Sequence, residues 1–233
     1  MNNFGDLLGP LVVEAMLRRR PGRAVAARDA QLLSVGSVIQ QASPGAVVWG
    51  SGINGRRFPD PALAATLDFR AVRGPRTRAH LVELGIDVPP IYGDPALLLG
   101  ILRPDLTGRA RTRAVTVVPN LHDVRTQDAT DGILHPQSKV AQVLETISTS
   151  ELVVGSSLHA VIVAEALGIP ARLVYSATEP HFKYRDYYEG TGRPDYQPAR
   201  SAKEAIEMGG EHPPQWSPEP LMRAFPYDLW TVA

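Results

Sequence analysis

His159 is the residue of this chain best placed to do chemistry. It follows Gly155, Ser156 and Ser157 within Glu151–Pro170, ELVVGSSLHAVIVAEALGIP. Residues 151–154 have the β-branched, apolar composition of a buried strand. Gly155, Ser156 and Ser157 form a tight polar turn. Leu158 to Leu167 then reads as a helix with an apolar face at Val161, Ala164, Ala166 and Leu167. Gly168 and Pro170 stop it, the first by adopting the left-handed conformation and the second by its ring. Such a turn lies at the carboxyl end of a strand, where open α/β sheets take their ligands. The first helical amides are unpaired and carry partial positive charge, so they make a seat for an anion. An imidazole beside that seat can act as acid or base near neutral pH. The same residues equally fit a plain βαβ unit whose histidine caps or packs.

The composition bounds what this centre can belong to. The chain has 233 residues, 44 % hydrophobic and 21 % charged, which is enough for one large or two small globular domains. Its formal net charge of +0 excludes nucleic-acid binding through bulk positive charge. Without cysteine it can hold no disulfide framework, thiolate zinc site or cysteine nucleophile. The histidines are scattered and no HExxH motif, full GxGxxG dinucleotide fingerprint or phosphate-loop motif with its lysine is present, so neither a metal nor a nucleotide cofactor is expected. No apolar run has the length of about 20 residues that a membrane span needs, and the start lacks the features of a signal peptide, so the expected location is the cytoplasm.

The elements that must position the site alternate along the chain. Strands are predicted at 31–36, 46–50, 67–73, 114–119, 151–154 and 171–175. Helices are predicted at 11–19, 76–84, 139–147, 158–167, 182–189, 201–208 and 218–225, with a short helical turn at 38–42. The fold class that follows is α/β with parallel sheets. The polar, basic stretch Arg103–Arg113 reads as a linker, which sets two domains at residues 1–108 and 109–233. His122 and Asp123 follow a strand of the second half, where a site role and an ordinary strand-end position are both open.

Five segments in order resemble the polysaccharide pyruvyl transferases: NNFGDLLGP at 2–10, VVWGSGI at 47–53, VRGPRTR at 72–78, IYGDPALLL at 91–99 and VVGSSLHAVIVAEALGIP at 153–170. FKYRDYY at 182–188 is similar to a segment of the branch that acts on bacterial exopolysaccharides. The likeness spans most of residues 2–190. It implies two Rossmann-like lobes of the glycosyltransferase-B kind, with an amino-terminal acceptor lobe, a carboxy-terminal donor lobe and the site in the cleft between them. Members carry a strand before the first motif, whereas this chain begins at the motif. That implies either a missing first strand or a true start upstream.

The family moves pyruvate from phosphoenolpyruvate to a sugar, as a ketal bridging two hydroxyls. The resemblance therefore implies phosphoenolpyruvate as donor substrate, no cofactor, and a saccharide acceptor. The acceptor is expected to be lipid-linked, which leaves association with the inner membrane face open. The alternatives are a glycosyltransferase using a sugar nucleotide and a non-catalytic saccharide-binding member. The donor's two anions need cations, and its methylene carbon needs an acid. His159 is the first choice for acid–base or phosphate contact, with the Ser156 and Ser157 hydroxyls and nearby amides as phosphate donors. Arg73 and Arg76 fit bidentate binding of carboxylate or phosphate, or are ordinary strand-end arginines. Gly5 and Asp6 belong to a loop expected to face the cleft, where Asp6 either serves as base or caps the following helix. Many members have an arginine where this chain has Ser157, so Lys183 and Arg185 are the expected replacements.

Overall fold

The computed structural model describes residues 3–22, 24–27, 29–124 and 133–232, so Asn2 of the first motif lies outside them. In chain order the strands are β1 Ala24–Ala26, β2 Leu32–Leu33, β3 Val47–Trp49, β4 Asp68–Ala71, β5 Arg113–Val117, β6 Ser150–Gly155, β7 Ala171–Leu173 and β8 Trp230–Val232. The helices are α1 Leu8–Leu17, α2 Pro61–Ala64, α3 Pro75–Glu83, α4 Leu99–Leu102, α5 Val140–Ser148, α6 Leu158–Ala166, α7 Phe182–Gly190, α8 Ala202–Met208 and α9 Pro218–Arg223. Two parallel three-stranded sheets result, in the orders β2-β3-β4 and β5-β6-β7. Their strands carry the Val- and Leu-rich runs of the sequence, as parallel strands do when buried on both faces. Among the described residues no helix is long and apolar enough to cross a membrane.

The chain forms two compact units, and each is discontinuous. The first holds the chain up to Leu8, Ala96–Pro180 and Asp195–Pro214; the second holds Gly9–Pro95, His181–Pro194 and Gln215 onward. Four of the five crossings, at Pro95, Pro180, Pro194 and Pro214, fall on prolines, which cannot continue a helix or donate to a ladder. A contiguous division at residue 108 coincides with none of them. Residues 3–8 of the amino-terminal motif thus join the unit of the 153–170 segment, and α7 joins the unit of β2-β3-β4.

In the first unit, β6 lies between β5 and β7, and Val117, Val154, Val174, Ala199 and Ala205 form a core cluster. Helix α6 is buried from Leu158 through Ala164 except at His159, so it is apolar almost all round rather than along the one expected face. Ala166, expected on that face, is only partly buried. The stop is as expected: Gly168 takes φ +69°, and the Ile169 N–H returns to the Ala164 carbonyl at 2.8 Å.

The second unit packs Ile39, Val48, Ile53, Phe69, Val72 and Leu81 around β2-β3-β4. It also contains an unforeseen pair, β1 antiparallel to β8, which joins residues about two hundred positions apart through short, largely exposed strands. Helix α2, opened by the Asp60 side chain on the Leu63 N–H, was also unforeseen. The helical turn expected at 38–42 is a single 3-10 turn, Ile39–Gln41.

Candidate functional site

The expected site residues fall into two groups. Gly5, Asp6, His122, Ser156, Ser157 and His159 belong to the first unit; Arg73, Arg76, Lys183 and Arg185 belong to the second.

In the first unit, the 3-10 turn Phe4–Leu7 meets the head of α6. Gly5 is buried so close to His159 that a Cβ built on it would lie 2.0 Å from the imidazole Nδ1. Only a residue without a side chain allows that approach. Phe4 adds an edge contact, its ring centroid 6.4 Å from that of His159. The imidazole is thus held on two sides and is partly exposed. Asp6 and Asn3 form a reciprocal capping box, with each backbone N–H donating to the other side chain at 3.2 Å. The N-cap is therefore Asn3, and Asp6, weighed as a cap of the helix after it, instead closes the 3-10 turn from within.

The serine turn after β6 is held from both neighbouring strands. Gly155 adopts φ +144°, and a Cβ there would lie 2.1 Å from the Val118 carbonyl oxygen. The Ser157 N–H donates to that oxygen, so this amide, one of those expected to hold phosphate, is already used. The Ser157 hydroxyl accepts from the Ala160 N–H and caps α6. The Leu158 and His159 amides head the helix.

Ser156 differs from expectation. Its Oγ accepts the Asn120 N–H and donates its proton to Asp123 Oδ2 at 2.6 Å, so that proton goes to a side chain of the fold and not to a substrate anion. Asp123, rather than the exposed His122, is the polar centre of this end of the sheet. The carboxylate is 2 % exposed and also accepts from Thr178 Oγ1 at 2.6 Å. Burial pushes its pKa up, but hydrogen bonds from Ser156, Ser176 and Thr178 outweigh burial and hold it below the usual carboxylate value. The sequence marks Asp123 only as the neighbour of a histidine, and nothing local announces its partners 33 and 55 positions away.

A pH dependence follows. A depressed folded pKa contributes stability that is complete above the unfolded value, about 3.9 for aspartate. It is lost as pH falls through the folded value, because the unfolded chain then binds more protons. Asp123→Asn is expected to cost about 1.5–3 kcal/mol at neutral pH and to flatten the acid limb of the stability curve below about pH 4. Chemical unfolding followed by circular dichroism from pH 3 to 7 measures both. An unchanged acid limb would assign the acid sensitivity elsewhere.

In the second unit, Arg73 and Arg76 do bind carboxylates, but those of α7, and only Arg76 reaches both oxygens of its partner. Arg73 is 1 % exposed. Its Nε and Nη2 reach Asp186 Oδ2 at 3.1 and 3.0 Å, Nη2 also donates to the Ile53 carbonyl at 2.7 Å, and Nη1 donates to Ser37 Oγ. Gly52 makes the slot, since a Cβ there would lie 2.5 Å from the guanidinium carbon. Asp186 also accepts the Thr77 N–H at 2.8 Å and the Thr77 hydroxyl at 2.7 Å. It thereby caps α3, whose own N-cap, Gly74, has no side chain to do so, and it sets a negative charge at the helix's positive end. Arg76 is bidentate to Glu189 at 2.7–3.0 Å and remains partly exposed. Lys183 is 9 % exposed with Nζ 5.0 Å from the Tyr184 ring centroid, and Arg185 is exposed. Three segments of the resemblance, around Gly52, Arg73 and Asp186, thus meet in a buried ion pair.

Comparison with known proteins agrees with the ordered motifs. A profile of the polysaccharide pyruvyl transferase family matches residues 14–177, more than half of the chain. The succinoglycan biosynthesis protein ExoV of Rhizobium meliloti (strain 1021) is 29 % identical over 224 residues, covering 89 % of this chain and 68 % of its own. In fold, the chain is similar to the crystal structure of a functionally uncharacterised protein from Klebsiella pneumoniae subsp. pneumoniae NTUH-K2044, with TM-score 0.53 and 13 % identity over 84 % of this chain and 87 % of that one.

Proposed function

The chain belongs to the polysaccharide pyruvyl transferase family, and from that premise we propose that it transfers pyruvate from phosphoenolpyruvate to two hydroxyls of a saccharide in exopolysaccharide assembly. The observation that carries this reading is the meeting of Gly5 with His159 at the head of α6. It sets a titratable, partly exposed ring beside helix-head amides and the Ser157 hydroxyl, which together suit a phosphate ester.

In the proposed reaction a proton adds to the methylene carbon of phosphoenolpyruvate and leaves an oxocarbenium-like centre at the adjacent carbon. One sugar hydroxyl attacks that carbon and gives up its proton. The carbon–oxygen bond to phosphate breaks, and the phosphate departs with the electron pair. A second hydroxyl attacks the same carbon and closes the ketal. Of the two hydroxyl protons, one balances the proton added to the methyl carbon and the other leaves with phosphate. His159 is assigned the proton transfers or the phosphate contact, Ser157 a hydrogen bond to the donor, and Asp6 the part of base toward the acceptor. Arg73 is assigned to the fold.

On this reading the two parallel sheets are Rossmann-like lobes of the glycosyltransferase-B kind. The acceptor is a lipid-linked oligosaccharide met at the inner membrane face. That the ExoV relative is a succinoglycan biosynthesis protein supports an exopolysaccharide acceptor. Incubation with phosphoenolpyruvate and a panel of lipid-linked oligosaccharides, followed by mass spectrometry, is expected to give a pyruvate ketal and acceptor-dependent phosphate release. Sugar transfer from a sugar nucleotide without phosphate release from phosphoenolpyruvate would replace this reading with glycosyl transfer.

A further inference from the structure

We propose that Tyr175 is the platform of a saccharide subsite in the first unit, its ring receiving one face of a pyranose of the acceptor; this rests on the pyruvyl-transfer reading for the identity of the acceptor. The position comes from strand register. In the parallel pair β6–β7, Gly155 lies opposite Leu173, and the Val174 N–H donates to the Gly155 carbonyl at 2.9 Å. Tyr175 therefore leaves the sheet at the same carboxyl edge as Ser156 and Ser157, on the neighbouring strand, a spacing of about 4.8 Å. Leu173 and Val174 are each 3 % exposed, whereas Tyr175 is 49 % exposed.

A single exposed aromatic side chain is ordinary on a protein surface. Tyr175 is set apart by how its backbone is held. Its N–H donates to the Ala199 carbonyl at 2.8 Å. Just beyond it, Ser176 Oγ accepts the Thr178 and Glu179 N–H groups at 3.3 and 2.9 Å. Thr178 donates to Asp123, the same buried carboxylate that takes the Ser156 proton. The loop that carries the ring and the turn that heads α6 are thus anchored on one anion. A ring on so fixed a loop loses little freedom when a ligand arrives, and tyrosine has only two side-chain torsions to order.

A pyranose has an apolar C–H face and a rim of hydroxyls. The Tyr175 ring, 49 % exposed at this edge, supplies an aromatic surface for that C–H face.

The test uses saturation-transfer NMR with methyl β-D-glucopyranoside and methyl β-D-galactopyranoside on the full chain and on Tyr175→Phe, Tyr175→Leu and Tyr175→Ala. Saturation of the ring C–H protons is expected in the wild type and in Tyr175→Phe, with affinity about tenfold weaker in Tyr175→Ala. Tyr175→Leu, which keeps apolar bulk but loses the flat face, should weaken binding as well. No saturation in the wild type, or equal affinity in Tyr175→Leu and Tyr175→Ala to that of the wild type, overturns the subsite. Phosphoenolpyruvate turnover is scored separately. Sugar binding through Tyr175 without turnover would remove the pyruvyl-transfer reading and leave the subsite standing. Turnover with an unchanged acceptor KM in Tyr175→Ala would do the reverse.

Discussion

His159→Ala is expected to lower phosphoenolpyruvate-dependent pyruvyl transfer by about 10²–10⁴-fold, the usual contribution of one positioned acid–base group. The ring stands in the first turn of α6 with Gly5 against one side and the Phe4 edge against another. Its removal costs little fold, about 0.5–1.5 kcal/mol for the lost aromatic contact. Activity and stability should therefore separate, which single-turnover ketal formation and thermal unfolding of the same preparation will show. His159→Gln refines the assignment, because an amide can hydrogen-bond to phosphate but cannot carry a proton between groups near neutral pH. Recovery of the rate in His159→Gln would make the residue a phosphate contact. A rate within threefold of wild type in His159→Ala would make it a packing residue and remove the seat from the mechanism. Gly5→Ala perturbs the same ring from outside. Its Cβ would lie 2.0 Å from Nδ1, so the imidazole must turn away, at about 1–3 kcal/mol of overpacking. It should then share the activity loss of His159→Ala, although no chemical group has been removed.

The largest stability effect is expected at the Arg73–Asp186 pair, whose two side chains are both 0 % exposed. Removing one partner leaves the other charge buried and uncompensated, which costs about 3–5 kcal/mol. Asp186→Asn faces an amide toward the guanidinium, and Arg73→Met leaves the carboxylate with only its Thr77 bonds. The double variant should lose less than the sum of the singles, with a coupling of about 1–3 kcal/mol. Fluorescence is well suited to the measurement, because Trp49, Trp216 and Trp230 all belong to the second unit. Urea unfolding followed at tryptophan thus reports the unit that holds the pair. Single-variant losses under about 1 kcal/mol would mean that water or another group relieves the buried charge.

Much of the secondary structure was legible because its causes are local. All six strand runs and all seven helices expected from the sequence are present, with their ends moved by a few residues in either direction. The Ser201 cap of α8 and the Gly168 stop of α6 follow from single residues whose backbone preferences are strong. The pair β1–β8 was not legible. It joins short, largely exposed strands from opposite ends of the chain, where neither alternation nor burial leaves a pattern. The apolar residues 96–102 have composition without a clear period, and they form the end of a 3-10 turn, Pro95–Leu98, followed by the single turn α4.

For the candidate site, the sequence by itself determined which residue types are present and which turns carry them. The Gly155–Ser157 turn, the histidine in the first turn of α6 and the arginines beside Gly74 all follow from spacing. What those side chains touch was decided only in three dimensions. Arg73 is well suited to bind a carboxylate, and it does; tertiary structure supplied Asp186, 113 positions away, as that carboxylate. Ser156 could donate to a substrate anion or to a side chain of the fold, and the buried Asp123 settled which. Gly5 in a loop suggests a turn, but its glycine is required because the His159 ring occupies the space of a side chain. Local conformation is governed by torsions within a few residues and can be read along the chain. Charge pairing and close approach depend on which distant segments folding brings together, and no local pattern encodes them.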